Sequence, residues 1–266
     1  MRHTSCRQFH SDTIGDTSLR PTRVLEVSEN AVRLRCNMSE EVFDYLAVSH
    51  IWGSKSLNQL RLLKSNIAQF QIDIPEAALE TSNTFREAVV ATRILGYRYV
   101  WIDSLCTIQD CEKDWKYEAD CMSIVYGNAI CNLAFINPPG PDKTSTHIPR
   151  DPRTWSHCIL RRGTTTPSSL SKKSEHELPA TYIERMISST EEYPLLPSSP
   201  NDYPWLRTRY WPLFNRAWTF QEHLFSMRTV FIGAKHLIFH CCTHLVDELL
   251  GPLVTKSPLS KYGLKA

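Results

Sequence analysis

The sequence predicts an α/β protein with a mostly parallel sheet flanked by helices, a long irregular insertion and extra C-terminal strands. Two observations carry this. Three compact apolar runs, 45–50, 99–103 and 129–136, read as buried strands. Between them lie two stretches with helical apolar periodicity, and this strand–helix alternation favours parallel strands joined by crossovers.

Each element has a local reason. Residues 1–20 are polar and rich in Ser, Thr and Asp, and read as a flexible leader. Val24–Val27 and Ala31–Leu34 flank Ser28-Glu29-Asn30 as a hairpin. The run Tyr45–His50 ends at Trp52-Gly53, where glycine permits a sharp turn. Thr84-Phe85-Arg86-Glu87 has capping-box spacing. Phe85, Ala88, Val89, Thr92 and Leu95 then line one helical face, closed by Gly96. Tyr99–Asp103 is a strand ending in a carboxylate. A second helix runs from Glu112 to Tyr126, stopped by Gly127-Asn128, and Ala129–Ile136 is the third core strand.

The pattern breaks at Asn137-Pro138-Pro139-Gly140. Residues 137–212 read as a Ser/Thr/Pro-rich, partly mobile insertion within a domain spanning 21–250. Order resumes with a helix at Arg216–Phe225 and strands at Arg228–Ile232 and His236–His240; residues 251–266 form a tail.

Composition excludes some classes. The chain has 30 basic and 28 acidic residues, a net +2, which argues against a nucleic-acid surface dominated by positive charge. No stretch approaches the ~20 apolar residues of a membrane span. The N-terminus lacks the apolar core of a secretory signal, so the expected location is cytoplasmic. Nine cysteines are present, and the spacing of Cys106, Cys111, Cys121 and Cys131 matches no zinc pattern. Reduced, mostly buried thiols and no metal are expected.

Two glutamates fall on helical stripes that should be apolar: Glu118 with Trp115 and Met122, and Glu222 with Trp218 and Phe225. A buried carboxylate is paired or has a task. Ligands of open parallel sheets gather beyond the strands' carboxyl ends, which marks Ser49, His50, Trp52, Gly53 and Asp103. Each has a duller reading. Asp103 could cap the following segment. Glu118 could pair with Arg86 or Arg93, and Glu222 with Arg216 or Arg228. Trp101, Trp115 and Trp218 could be core, and His50 has no partner visible in sequence. No GxGxxG or Walker pattern and no G-x-S-x-G elbow is present.

Taken together, these segments resemble the heterokaryon incompatibility (HET) domain of filamentous fungi. Three blocks carry the resemblance: 45–53 (YLAVSHIWG); Thr84–Ala88 through 99–110 (YVWIDSLCTIQD), with Asp114-Trp115, Glu118, Met122 and Tyr126–Ala129; and 216–228 (RAWTFQEHLFSMR). They cover roughly residues 21–248, and Thr107 stands where isoleucine is usual.

The resemblance implies non-self recognition and programmed cell death. HET domains are in turn distantly similar to TIR domains, which implies a flavodoxin-like fold. Some TIR domains cleave NAD with a glutamate in a W-x-x-x-E arrangement, and Trp218 and Glu222 have that spacing. The analogy implies Glu222 and Asp103 as catalytic, with Ser49, His50, Trp52, Gly53 and Trp218 beside the nucleotide. NAD is then a substrate, and no cofactor is needed. Self-association, or association with other HET or NLR-type partners, is also implied. The alternative is a non-catalytic death-signalling module that acts by oligomerising.

Overall fold

The computed structural model describes residues 19–38, 42–51, 60–136, 158–162, 181–185, 213, 216–233, 237–241, 244–247 and 251–254. Strands β1 (Arg23–Val27) and β2 (Val32–Cys36) form the expected hairpin, with the Ser28 amide donating to the Ala31 carbonyl at 2.9 Å. Strand β3 (Tyr45–Ser49) is buried throughout. Helices α1 (Ile67–Ile72) and α2 (Glu76–Leu79) follow; neither was foreseen, because each is short and only Phe70 and Leu79 are buried in them.

Helix α3 (Asn83–Ile94) starts two residues earlier than the capping box suggested. Ser82, in extended conformation, is the N-cap and accepts from the Phe85 amide. At its other end Gly96 has φ +75°. The Gly96 amide donates to Arg93 and the Tyr97 amide to Thr92, a Schellman closure that needs this left-handed residue. Ser82→Ala is expected to cost about 1 kcal/mol, read as a lowered urea midpoint with unchanged slope.

Strand β4 (Tyr99–Ile102) runs directly into the short helix α4 (Asp103–Cys106). The single helix expected to Tyr126 is instead two, α5 (Glu112–Asp120) and α6 (Met122–Asn128). They meet at Cys121, whose amide is shared between the Tyr117 and Glu118 carbonyls. That tightening resets the helix, and Gly127 and Asn128 lie inside α6 rather than stopping it.

Strand β5 (Cys131–Phe135) completes the central alternation. Helix α7 (Ala217–Phe225) leads into β8 (Arg228–Ile232), and β9 (Leu237–Cys241), β10 (Leu245–Asp247) and β11 (Gly251–Val254) follow. The described part of the separate unit 149–197 is a two-stranded antiparallel pair, β6 (Cys158–Arg162) and β7 (Thr181–Arg185). The surrounding Ser/Thr/Pro composition hid these strands in the sequence.

The main sheet is mixed and nine-stranded, in the order β11-β10-β9-β8-β5-β3-β4-β1-β2. Its centre, β8-β5-β3-β4, is parallel, and both flanks are antiparallel. The chain leaves β3 for β4 on one side and reaches β5 on the other. The winding therefore reverses at β3, where α/β sheets open a crevice.

The core centres on β3, β4 and α3, with Tyr45, Leu46, Val48, Phe85, Trp101 and Ile102 fully buried. Of six described cysteines outside any disulfide, Cys106 and Cys241 are buried, and Cys36, Cys111, Cys121 and Cys131 are half-buried. No described helix is long and apolar enough to cross a membrane.

Candidate functional site

The parallel register pairs Val48 with Ile102, so the chain ends β3 and β4 side by side. Ser49 and His50 leave one strand end and Asp103 leaves the other. On the opposite side Ala47 pairs with Asn132 of β5, which puts Asn132 on the same sheet face as Ser49. The Asn132 amide nitrogen donates to Ser49 Oγ at 2.9 Å. Tyr126, at the end of α6, donates to the Val48 carbonyl at 3.1 Å.

Asp103 has several contacts. Its Oδ1 accepts from the Ser104 amide at 2.7 Å, but Asp103 is the first residue of α4 and the N-cap position is Ile102, so the cap foreseen for it is not formed. Its carboxylate also lies 3.6 Å from His50 Nδ1 and 3.8 Å from Arg216 Nη2. Both exceed hydrogen-bond length, so they are electrostatic neighbours. Arg216 also donates to the His50 carbonyl, joining the start of α7 to the end of β3.

His50 is completely enclosed, its ring edge-on to Phe85 at 5.3 Å. Burial pushes its pKa down to about 4, with Arg216 adding to the shift and Asp103 opposing it. It is neutral at physiological pH.

Glu222 is the other buried acid of this cluster, at 2% exposure. The buried face of α7 is polar: Thr219, Glu222, His223 and Ser226. Thr219 donates to the Leu213 carbonyl, Ser226 to the Glu222 carbonyl, and His223 Nδ1 lies 3.3 Å from Thr229 Oγ1. The Oε2 of Glu222 has no hydrogen-bond partner among the described residues. Burial raises its pKa to about 7 and Asp103 adds to this; Arg216 and the Ser49 and Tyr126 hydroxyls pull the other way. The cation beside Glu222 is Arg216; Arg228, the other partner considered, instead donates to the Ile130 carbonyl at 3.1 Å.

A cleft of about 200 Å³ opens against this cluster. Asp103, Arg216, Gln109, Glu118, Met122 and the two tryptophans Trp115 and Trp218 line it. Trp115 and Trp218 are 48% and 43% exposed, so they are cleft walls rather than core; of the three described tryptophans, Trp101 is the one in the core.

Glu118 forms no pair with Arg86 or Arg93, which are exposed on α3. It accepts from Thr22 and lies 3.4 Å from Arg23, which also pairs with Asp114. These partners come from β1 and the residue before it, 95 and 96 positions away in sequence. Local spacing could not have found them. Burial raises the Glu118 pKa, against the hydrogen bond from Thr22 and the charge of Arg23.

Of the residues singled out from sequence, the structure gathers Ser49, His50, Asp103 and Glu222 into one cluster, with Trp218 on the adjoining cleft. Glu222 is packed under the cleft rather than lining it. Trp52 and Gly53 lie outside the described residues. Sequence reasoning missed Asn132 and Tyr126. An asparagine inside an apolar strand was the available signal for the first; a tyrosine on a helix facing that strand gave none. No group of three or more metal-binding side chains occurs among the described residues.

A family model described as Heterokaryon incompatibility protein (HET) matches residues 45–222. That span begins at β3, includes every member of the cluster and ends on Glu222. No curated protein and no solved structure matches the chain.

Proposed function

The chain belongs to the heterokaryon incompatibility family, and from that premise we propose that it serves non-self recognition and programmed cell death in a fungal cell by cleaving NAD at the nicotinamide–ribose bond. One arrangement carries the reading: Asp103, Arg216 and two half-exposed tryptophans line one cleft, and the charges of Asp103 and Arg216 are felt by the buried Glu222. The order of the four parallel strands supports it, since counted along the chain they lie 2-1-3-4, the flavodoxin-type winding.

In this reading the nicotinamide riboside end of the dinucleotide occupies the cleft. A volume of about 200 Å³ is below the ~300–1,000 Å³ of ligand pockets, so the adenylate half extends outside. Trp115 and Trp218 flank the planar cationic ring. The bond from ribose C1′ to the nicotinamide nitrogen breaks, and its electron pair leaves with nicotinamide. Positive charge grows on the ribose, as in other glycosyl transfers. Asp103, the aspartate that lines the cleft, stabilises it. Glu222, when ionised, adds negative potential from a dry site, where such charge acts most strongly. Water then adds at C1′ and releases a proton, giving ADP-ribose.

The test is nicotinamide release from NAD by the purified chain, free and fused to a clustering tag. Asp103→Asn is expected to lower release by about 10²-fold or more. Absence of release from both wild-type forms, or equal release by Asp103→Asn, overturns the proposal. Host toxicity that persists in Asp103→Asn would assign the chain to non-catalytic signalling.

A further inference from the structure

Away from the cleft, the outer face of α3 carries exposed apolar side chains. Ile94 is 79% exposed and Ile72, on α1, is 73% exposed. Val90, one turn before Ile94, is exposed on the same side. The core takes Phe85, Ala88, Val89 and Thr92 from the opposite side of this helix. Val90 and Ile94 are therefore not displaced core residues; at i, i+4 spacing they form a short exposed apolar strip.

Charge on this face is divided. Two grooves run beside it, and Glu29, Ala31 and Arg93 line both. The groove that reaches Ile72 has Arg33, Arg93 and Arg98 against Glu26 and Glu29. The groove that reaches Val90 has Asp73, Glu76, Glu80 and Glu29 against Arg86 and Arg93. The first is net basic and the second net acidic. In the first, Arg33 and Arg98 both donate to the buried Glu26, while Arg93, shared between the grooves, donates through Nε to the Ser28 carbonyl at 2.8 Å.

A two-fold interface lays one patch on itself in reverse. A patch with a basic half, an acidic half and an apolar strip fits that operation. We propose that this face docks a second copy of the chain, each basic groove lying over the other copy's acidic groove. Val90 and Ile94 then pack across the junction. Arg93 and Glu29, common to both grooves, lie beside the axis, where Arg93 of each copy meets Glu29 of the other. The surface is separate from the cleft, so it stands or falls independently of NAD cleavage.

Sedimentation velocity of the full chain over a concentration series tests this. The wild type is expected to dimerise. Ile94→Asp should weaken the dimer at least about tenfold, as loss of a central apolar contact does. Arg93→Glu should weaken it comparably by setting like charges together. The double variant Glu29→Arg, Arg93→Glu should restore it to within about threefold. All three positions, Glu29, Arg93 and Ile94, are exposed, so circular dichroism is expected to be unchanged. A chain that stays monomeric to about 100 μM overturns the proposal. So does a dimer indifferent to Ile94→Asp, or a double variant no tighter than Arg93→Glu alone.

Discussion

Glu222→Gln is expected to stabilise the protein above pH 7 while abolishing nicotinamide release. The stability half follows from the buried carboxyl. Its pKa in the folded state is about 7, against 4.5 for the free group, with burial the largest cause. The folded chain therefore holds a proton that the unfolded chain gives up across that interval. The stabilisation is full below pH 4.5 and is lost as pH rises through about 7. At pH 8 the folded state carries a buried charge worth on the order of 3 kcal/mol of lost stability. Glutamine does not ionise, so the variant should melt roughly 5–10 °C higher at pH 8 and about equal to wild type near pH 4.5.

The activity half separates function from packing. A purely structural acid would leave the variant as active as it is stable. A variant that is more stable yet inactive is the mark of a strained functional group. Calorimetry at the two pH values, beside the nicotinamide assay, decides it. Equal melting at pH 8 would refute the buried charge, and full activity would remove Glu222 from the chemistry.

His50 bounds stability from the acid side. Its pKa is lowered from 6.5 to about 4, chiefly by burial. Its contribution is complete above pH 6.5 and is lost as pH falls through about 4. Taken together, the contributions of His50 and Glu222 are greatest in mildly acidic solution.

Arg216→Ala is expected to be the most destabilising single change at the cluster, at about 2–4 kcal/mol in the urea midpoint. Arg216 holds the His50 carbonyl, faces Asp103 at 3.8 Å and is the cation nearest Glu222 in effect. Removing it leaves two carboxylates with reduced compensation, and breaking a buried pair from one side costs most. The side chain is 24% exposed, which places the effect below that of a fully buried pair. Arg216→Lys keeps the charge but not the planar fork, so it should recover only part of the loss. A change within about 0.5 kcal/mol for Arg216→Ala would show that the carboxylates are held by other means.

Much of the scaffold was legible because its signals are local. Tyr45–Ser49, Tyr99–Ile102 and Cys131–Phe135 are short apolar runs bounded by turn residues, and each became a central parallel strand. Arg228–Ile232 was placed to the residue. Local ambiguity caused the misses. Ser82 and Thr84 both offer caps two positions apart, and only the extended backbone at Ser82 decides between them. The joint at Cys121 interrupts a periodic pattern that continues on both sides of it.

The site was legible as residue types and not as roles. Glu118 and Glu222 stood out as acids on helical stripes, and Arg216, six positions before Glu222, was one of the two cations the sequence offered it; the remaining partners come from segments far away in sequence. Thr22 and Arg23 reach Glu118 from the N-terminal hairpin. Ser49 and Tyr126 reach Glu222 from β3 and α6.

By itself the sequence determined the strand–helix alternation, the family and the short set of acids and aromatics worth examining, because periodicity, capping and composition act over a few residues. Only the tertiary structure decided which acid lines the cleft and which lies sealed behind it, that Trp115 and Trp218 are walls rather than core, and which cation each carboxylate meets. Burial and charge pairing depend on distances between segments far apart in the chain, and packing alone sets those distances.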